Sequence, residues 1–204
     1  MNAERKILIL FAHPWLAQSK VNKRLAQAVK DIPGVTLVDL YEEYPHFLIN
    51  VPREKDRLVA HDLFVFQHPF YWYSCPPLLK EWLDAVLEFG FAYGEGSTLL
   101  RGKDFLQVVS TGGSSSVYSR SGNNRFSVLE LLRPFEATAH LCGWHYHHPL
   151  LIQGARQLTD AQLEREIKRY RHILEAYLKQ GRSALVPWDS TQSSRAEEDP
   201  YPYE

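Results

Sequence analysis

The sequence predicts an α/β domain: a doubly wound sandwich of helices around a five-stranded parallel sheet. Three observations predict it. Short, continuous apolar runs rich in β-branched and aromatic residues recur along the chain, the form a strand takes when both its faces are covered. Amphipathic helical segments stand between those runs, which is the order of βαβ units. The loops leaving the first, third and fourth runs carry the richest chemistry, and they share the sheet edge at which such folds bind ligands.

Residues 6–12 (KILILFA) read as the first strand, ended by His13-Pro14. A helix starts near Ser19 or Lys20, with Ser19 a reasonable N-cap, and carries Val21, Leu25, Ala28 and Val29 on one side until Pro33-Gly34 breaks it. Residues 35–39 form the second strand; 41–52 read as irregular and 53–61 as a charged helix. The third strand, 63–66 (LFVF), stops at Gln67-His68-Pro69, because Pro69 cannot donate to a ladder. Pro76 and Pro77 suit a first helical turn. Leu78, Leu79, Trp82, Leu83, Val86 and Leu87 then recur at helical spacing, with Trp82 assigned to the core. An aromatic loop, GFAYG at 90–94, closes this segment.

The fourth strand is 105–110 (FLQVVS), and a helix covers 128–141, kinked or restarted at Pro134. Residues 144–152 are the fifth strand. The last helix spans 159–178, with Asp160 and Glu164 early and Lys179 late, as the helix dipole favours. Residues 1–182 are thus read as one domain. Residues 183–204, polar and without periodicity, are read as a mobile tail.

Composition narrows the function classes. With 45% hydrophobic and 23% charged residues the chain can bury a real core, and its net charge of -1 removes the electrostatic argument for nucleic acid. Two cysteines, Cys75 and Cys142, supply neither a disulfide framework nor a four-cysteine zinc site. The opening residues lack a small-residue cleavage site and no run of eighteen apolar residues occurs, so a soluble cytoplasmic protein is expected, free to dock onto a membrane protein.

Three loops carry the chemistry. In the first, His13, Ser19, Lys20, Val21 and Asn22 gather a hydroxyl, an amide and backbone N–H groups at a helix N-terminus, a ready anion site, against the plainer reading of an ordinary cap. In the second, Phe70, Tyr71, Trp72 and Tyr73 stand in a row at a strand's carboxyl end; they form a slot for a planar ring, or else core or a dimer contact. In the third, Ser110, Thr111, Gly112 and Gly113 let backbone approach a ligand closely, or serve as plain turn chemistry. Tyr118 and Asn124 beyond it can hydrogen-bond a substrate oxygen. GxGxxG, Walker and GxSxG patterns are absent. The WHYHH run at 144–148 lacks the accompanying ligands of a metal site, so none is expected, and Cys75 has no CxxC partner.

At these loops the chain resembles the NAD(P)H:quinone oxidoreductases of the flavodoxin-like fold. Within them it is most similar to the ancillary proteins of glutathione-regulated potassium-efflux systems. The likeness is carried by ILILFAHP at 7–14, residues 19–24, QHPFYWYSCPPLLKEWLD at 67–84, GFAYG at 90–94, STGG at 110–113 and LRPFEATAHLCG at 132–143. It implies a bound flavin, FMN with FAD left open, reduced by NAD(P)H and reoxidised by a quinone or similar electrophile. It also implies a homodimer with its active sites near the subunit interface, and a potassium-efflux transporter as partner at the cytoplasmic face of the inner membrane. By the same resemblance, His13 and Ser19 to Asn22 hold the phosphate and ribityl end, and Phe70 to Tyr73 with Ser110 to Gly113 hold the ring. Tyr118 matches the family's catalytic Tyr. Asn124 stands where its quinone reductases commonly have a His, and an Asn cannot become cationic. With Asn123 and Arg125, that departure looks more like the ancillary branch, some members of which mainly regulate the transporter, and regulation with weak or no quinone turnover is the alternative to the oxidoreductase reading.

Overall fold

Alternation along the strands sorts the core into two layers. A computed structural model describes residues 4–187 apart from Thr98. Its elements, in chain order, are β1 (Ile7–Phe11), α1 (Val21–Val29), β2 (Val35–Asp39), α2 (Leu40–Glu43), α3 (Val51–Ala60), β3 (Leu63–Pro69), α4 (Pro77–Val86), β4 (Asp104–Ser110), α5 (Val128–Leu131), α6 (Arg133–Leu141), β5 (His145–Tyr146), β6 (Leu150–Ile152) and α7 (Asp160–Gln180). Successive side chains of a strand point to opposite faces. Ile7, Ile9, Leu63, Val65, Leu106 and Val108 therefore pack with α1 and α7, whereas Leu8, Leu10, Phe64, Phe66, Phe105 and Val109 pack with α3, α4 and α6. All pairings are parallel, in the order β2-β1-β3-β4-β5, with β6 also against β4. The predicted doubly wound sandwich is what forms.

Five details differ from the sequence reading. β3 runs on to Pro69 rather than ending at Phe66, paired with β4 as far as Pro69↔Ser110. Ala12 N–H donates to Gln67 O and Phe70 N–H to Ser110 O, so the nitrogen of Pro69 faces the β1 side. There β1 has already ended at Phe11, and no ladder bond is lost. The fifth strand is two: Pro149 interrupts it, and His148 N–H turns away to Val186 O at 2.8 Å. The helix read over 128–141 is α5 and α6, broken at Leu132 with Pro134 in the first turn of α6, where its missing N–H costs little. Part of the stretch read as irregular forms α2, capped by the Asp39 carboxylate, and α3 starts earlier than expected, at Val51, capped by Asn50.

Past Ser183, Leu185 is buried and the chain stays packed to Pro187; the remainder of the expected tail, 188–204, lies outside the described residues. Among the described residues no helix is long and apolar enough to cross a membrane.

One buried charge ties α3 to α4 and α2. Glu54 is fully buried, and its carboxylate accepts from Tyr44 OH at 2.5 Å, from Trp82 Nε1 at 2.9 Å and from Arg57. Removing it strands two buried donors and a guanidinium, a loss of the kind that costs about 3 kcal/mol. Glu54→Ala should lower the stability by that amount in urea denaturation, and a change under about 0.5 kcal/mol, the size of an ordinary surface substitution, would count against the accounting.

Candidate functional site

The carboxyl ends of β1, β3, β4 and β6 open into one cleft of about 860 Å³. Its first wall follows β1. Trp15 N–H donates to His13 Nδ1 at 3.1 Å, so a neutral His13 carries its proton on Nε2. Burial pushes the His13 pKa below its ordinary value, which keeps the ring neutral near pH 7. A single 3-10 turn, Leu16–Gln18, leads into α1. The residue capping α1 is Lys20, which gives no side-chain cap bond; the predicted cap, Ser19, instead accepts Asn22 N–H on its hydroxyl at 3.1 Å.

A buried chain of hydrogen bonds holds that wall to the sheet. Tyr170 OH on α7 donates to Gln67 Oε1 (3.3 Å), Gln67 Nε2 donates to Asn22 O (3.1 Å), and Asn22 Nδ2 donates to Ser110 Oγ (2.7 Å). Asn22 is only 2% exposed, yet its Oδ1 finds no partner among the described residues. A buried acceptor left open costs stability, so such an atom at the lining of a cleft marks a place for a ligand donor.

The second wall is a strained turn. Tyr71 and Ser74 exchange backbone hydrogen bonds at 3.2 and 3.0 Å around Trp72 (φ 48°) and Tyr73 (φ 63°). Two positive φ values define a type I′ turn, which non-glycine residues adopt at a cost. Phe70 packs inward, edge-on to Tyr118 at 5.7 Å and to Tyr73 at 6.4 Å. Burial and the neighbouring Tyr73 raise the Tyr118 pKa, so its hydroxyl stays protonated as a donor.

The third wall is zipped to the loop after β6. Thr111 N–H donates to Ile152 O, Ala155 N–H to Thr111 O, Gly154 N–H to Gly113 O, and Thr111 Oγ1 to Gly113 O. A Cβ on Gly113 would lie 3.2 Å from both the Tyr118 ring and Val117, so a larger residue there would make those side chains give way by a few tenths of an ångström.

Of the residues singled out in the sequence, His13, Ser19, Lys20, Val21, Asn22, Phe70, Tyr71, Ser110, Thr111, Gly112, Gly113 and Tyr118 all line the cleft. Trp72, Tyr73 and Asn124 do not. Trp72 is 93% exposed, while Tyr73 OH donates to Asn124 Oδ1 at 3.0 Å, a bond that joins the two loops outside the lining. Trp15, Gln18, Pro69, Ala155 and Arg156 also line it and were not predicted. Arg156 and Ala155 had an available signal, since any loop after a fifth parallel strand must emerge at this edge. A second cavity of about 660 Å³, between α6 and β5, contains none of the predicted site residues.

A family model described as a flavodoxin-like fold matches residues 5–174. The chain belongs to the flavodoxin-like family. The resemblance read from the strand-end loops is thereby borne out. Among curated relatives, this flavodoxin-like chain is 45% identical over 170 residues to the glutathione-regulated potassium-efflux system ancillary protein KefG of Pectobacterium carotovorum subsp. carotovorum (strain PC1), covering 83% of this chain and 93% of the relative. Among solved structures it is similar to general stress protein 14 of Treponema denticola in complex with FMN (38% identity, TM-score 0.76, covering 85% and 98% of the two chains). It is also similar to an NADPH-quinone reductase from P. pentosaceus (31%, TM-score 0.74, 82% and 96%). A chain from a structure named as a thermophilic tryptophan halogenase of Streptomycin violaceusniger matches as well (45%, TM-score 0.79, 81% and 96%).

Beneath the cleft floor, His68 is fully buried. Its Nδ1 donates to Pro69 O at 3.0 Å and its Nε2 accepts from Gln107 Nε2 at 3.4 Å, while its ring stacks on Phe135. Burial pushes its pKa down to about 4. Between that value and the ordinary one near 6.5, the unfolded chain binds a proton that the folded chain refuses, so stability falls as pH drops through this window. In His68→Gln, about 2 kcal/mol of the wild-type stability loss between pH 7.5 and 5 should disappear from urea midpoints. An unchanged loss would show that His68 is not the group responsible.

Proposed function

We propose that the chain is a flavin-dependent NAD(P)H:quinone-type oxidoreductase that takes FMN in the cleft. The observation that carries this reading is the convergence, in one cleft, of a helix N-terminus, an aromatic wall and a glycine-bearing wall, with the buried Asn22 Oδ1 left without a protein partner. The residues fit such a group. Ser19, the backbone of Lys20 and the N–H groups of α1 offer an anion site, with His13 Nε2–H as a further donor, and Asn22 Oδ1 would accept from a ribityl hydroxyl. Phe70 and Tyr71, with the backbone of Trp72 and Tyr73, would flank a ring whose other side meets Ser110 to Gly113.

When bound, the flavin supplies two-electron chemistry, accepting hydride from NAD(P)H and passing it to a quinone or related electrophile. The chain's own part is to hold and orient. Tyr118, kept protonated by burial, would donate a hydrogen bond to the oxygen that gains charge, and the Phe70 and Tyr71 rings would exclude water from that point. Support comes from relatives bearing FMN and NADPH-quinone reductase names. Exposed Trp72 beside the cleft fits the homodimer that the resemblance implies, and a cytoplasmic setting goes with it.

A second reading, regulation of a potassium-efflux transporter at the inner membrane with catalysis secondary, is favoured by one residue. Asn124 spends its Oδ1 on Tyr73 and cannot supply the positive charge of a His. The 45% identity to a potassium-efflux ancillary protein supports it too. The two readings are compatible in one molecule.

An anaerobic titration separates them. Protein that carries yellow flavin, bleaches with NADPH and recovers with a quinone fits the oxidoreductase. Protein that stays oxidised, or ignores the quinone, shifts the assignment to the regulatory flavoprotein, and protein that refuses both FMN and FAD overturns each. Tyr118→Phe should slow quinone reduction roughly tenfold to a hundredfold with flavin content unchanged. Loss of flavin in that variant would move Tyr118 from chemistry to cofactor binding.

A further inference from the structure

The cleft is unusual in its charge. Among the described residues lining it there is no Asp or Glu, and its basic side chains are His13, Lys20 and Arg156. Two of the three are already spoken for. Burial holds His13 toward its neutral form. Lys20 Nζ lies 2.9 Å from Asp160 and donates to Leu158 O at 3.4 Å. Arg156 forms no ion pair among the described residues, so it is the one lining group whose full charge is not offset.

Its position is set by the backbone rather than by chance. The bonds from Ala155 N–H to Thr111 O and from Gly154 N–H to Gly113 O fasten the loop before it to the glycine-bearing wall, and Gly154 turns the chain with φ 69°. The guanidinium then lies along the face that Gly112 leaves open: a Cβ there would sit 3.5 Å from Arg156 Nε and 3.8 Å from its Cζ. Two residues on, Leu158 is held by Lys20, so the loop spans from Gly112 to the first turn of α1. A planar cation with a fork of donors, placed there, matches a phosphate.

We infer that Arg156 is the residue that distinguishes a phosphorylated flavin from an unphosphorylated one, by charge-assisted hydrogen bonds to the phosphate. The inference rests on the flavin reading above and assigns to Arg156 a selectivity that the N-terminus of α1 alone does not provide. Neutral N–H donors at α1 can donate to a sugar hydroxyl as well as to an anion; a guanidinium favours the anion by Coulomb attraction, which salt weakens.

The test compares FMN with riboflavin on the deflavinated full-length chain, read by flavin fluorescence. In wild type FMN should bind more tightly than riboflavin, and the ratio should shrink as salt rises. In Arg156→Gln, FMN binding should weaken roughly tenfold to a hundredfold while riboflavin binding holds, and the salt dependence of the ratio should largely vanish. Arg156→Lys should recover part of the ratio. Because Arg156 is exposed, melting of the unloaded variants should match wild type. Equal weakening for both flavins, or none for either, overturns the inference and leaves the flavin reading standing. Wild-type protein that takes up neither flavin overturns the flavin reading itself, and the inference with it.

Discussion

The molecule depends on what β3 does with a buried amide and a buried imidazole side by side. Gln67 and His68 are both fully buried, and because successive side chains face opposite ways, one polar group is driven into each layer of the core. Neither can be left unsatisfied there. Gln67 therefore reaches the α1 side and links Tyr170 to Asn22, which fixes the first turn of α1 over the ends of β3 and β4. His68 reaches the other side and links Pro69 to Gln107, whose Oε1 accepts Tyr146 OH at 2.7 Å. Topology puts the cleft at this edge, and the bonds of these two residues brace the elements on either side of it.

The opposite edge of the sheet is closed by the same logic used more heavily. Asp104, at the start of β4, accepts from His147 Nε2 (2.8 Å), Arg182 Nε (2.6 Å) and Tyr177 OH (2.9 Å). Burial would raise its pKa, but those three donors outweigh that and hold it below the usual carboxylate value. Beside it, Lys103 Nζ donates to the carbonyls of Leu58 and Val59 at the end of α3. Most polar groups at this edge are spent on one another, though His147 Nδ1 stays buried without a partner among the described residues. At the carboxyl edge, among the described residues, Asn22 Oδ1 remains open and Arg156 forms no ion pair, and what sets these two apart is that both line the cleft.

The layers of this fold were legible in the sequence because strands buried on both faces have to read as continuous apolar runs, and residues 7–11 and 63–66 do. The extension of β3 was hidden, because Gln67 and Pro69 are poor strand residues by type and are tolerated only through partners far along the chain, Asn22 and Ser110. The division of the fifth strand turned on where Pro149 falls against β4, which pairing alone decides. In the site, twelve of the named residues converge because they occupy strand-end loops whose common edge follows from topology. Trp72 was grouped with its aromatic neighbours, but the type I′ turn rotates its ring into solvent, and turn type is written in backbone angles rather than in residue identity. Arg156 was passed over since its loop carries no aromatic residue and only the single Gly154, a weaker signature than those that marked the others.

That turn also bears on how the two functional readings relate. Trp72 and Tyr73 each occupy left-handed backbone, a strain on the order of 1–2 kcal/mol per residue, and the surroundings must hold it in place. They do so through the Tyr71–Ser74 bridge, the Phe70 contact with Tyr118, and the Tyr73–Asn124 hydrogen bond. The last of these joins the aromatic turn to the loop that carries Tyr118, so whatever alters one loop is felt by the other. Asn124 offers no chargeable ring, and its hydrogen bond to Tyr73 couples the aromatic wall to an exposed surface. The same bond therefore serves either proposed reading: it braces the strained turn beside the cleft, and it ties that turn to the surface.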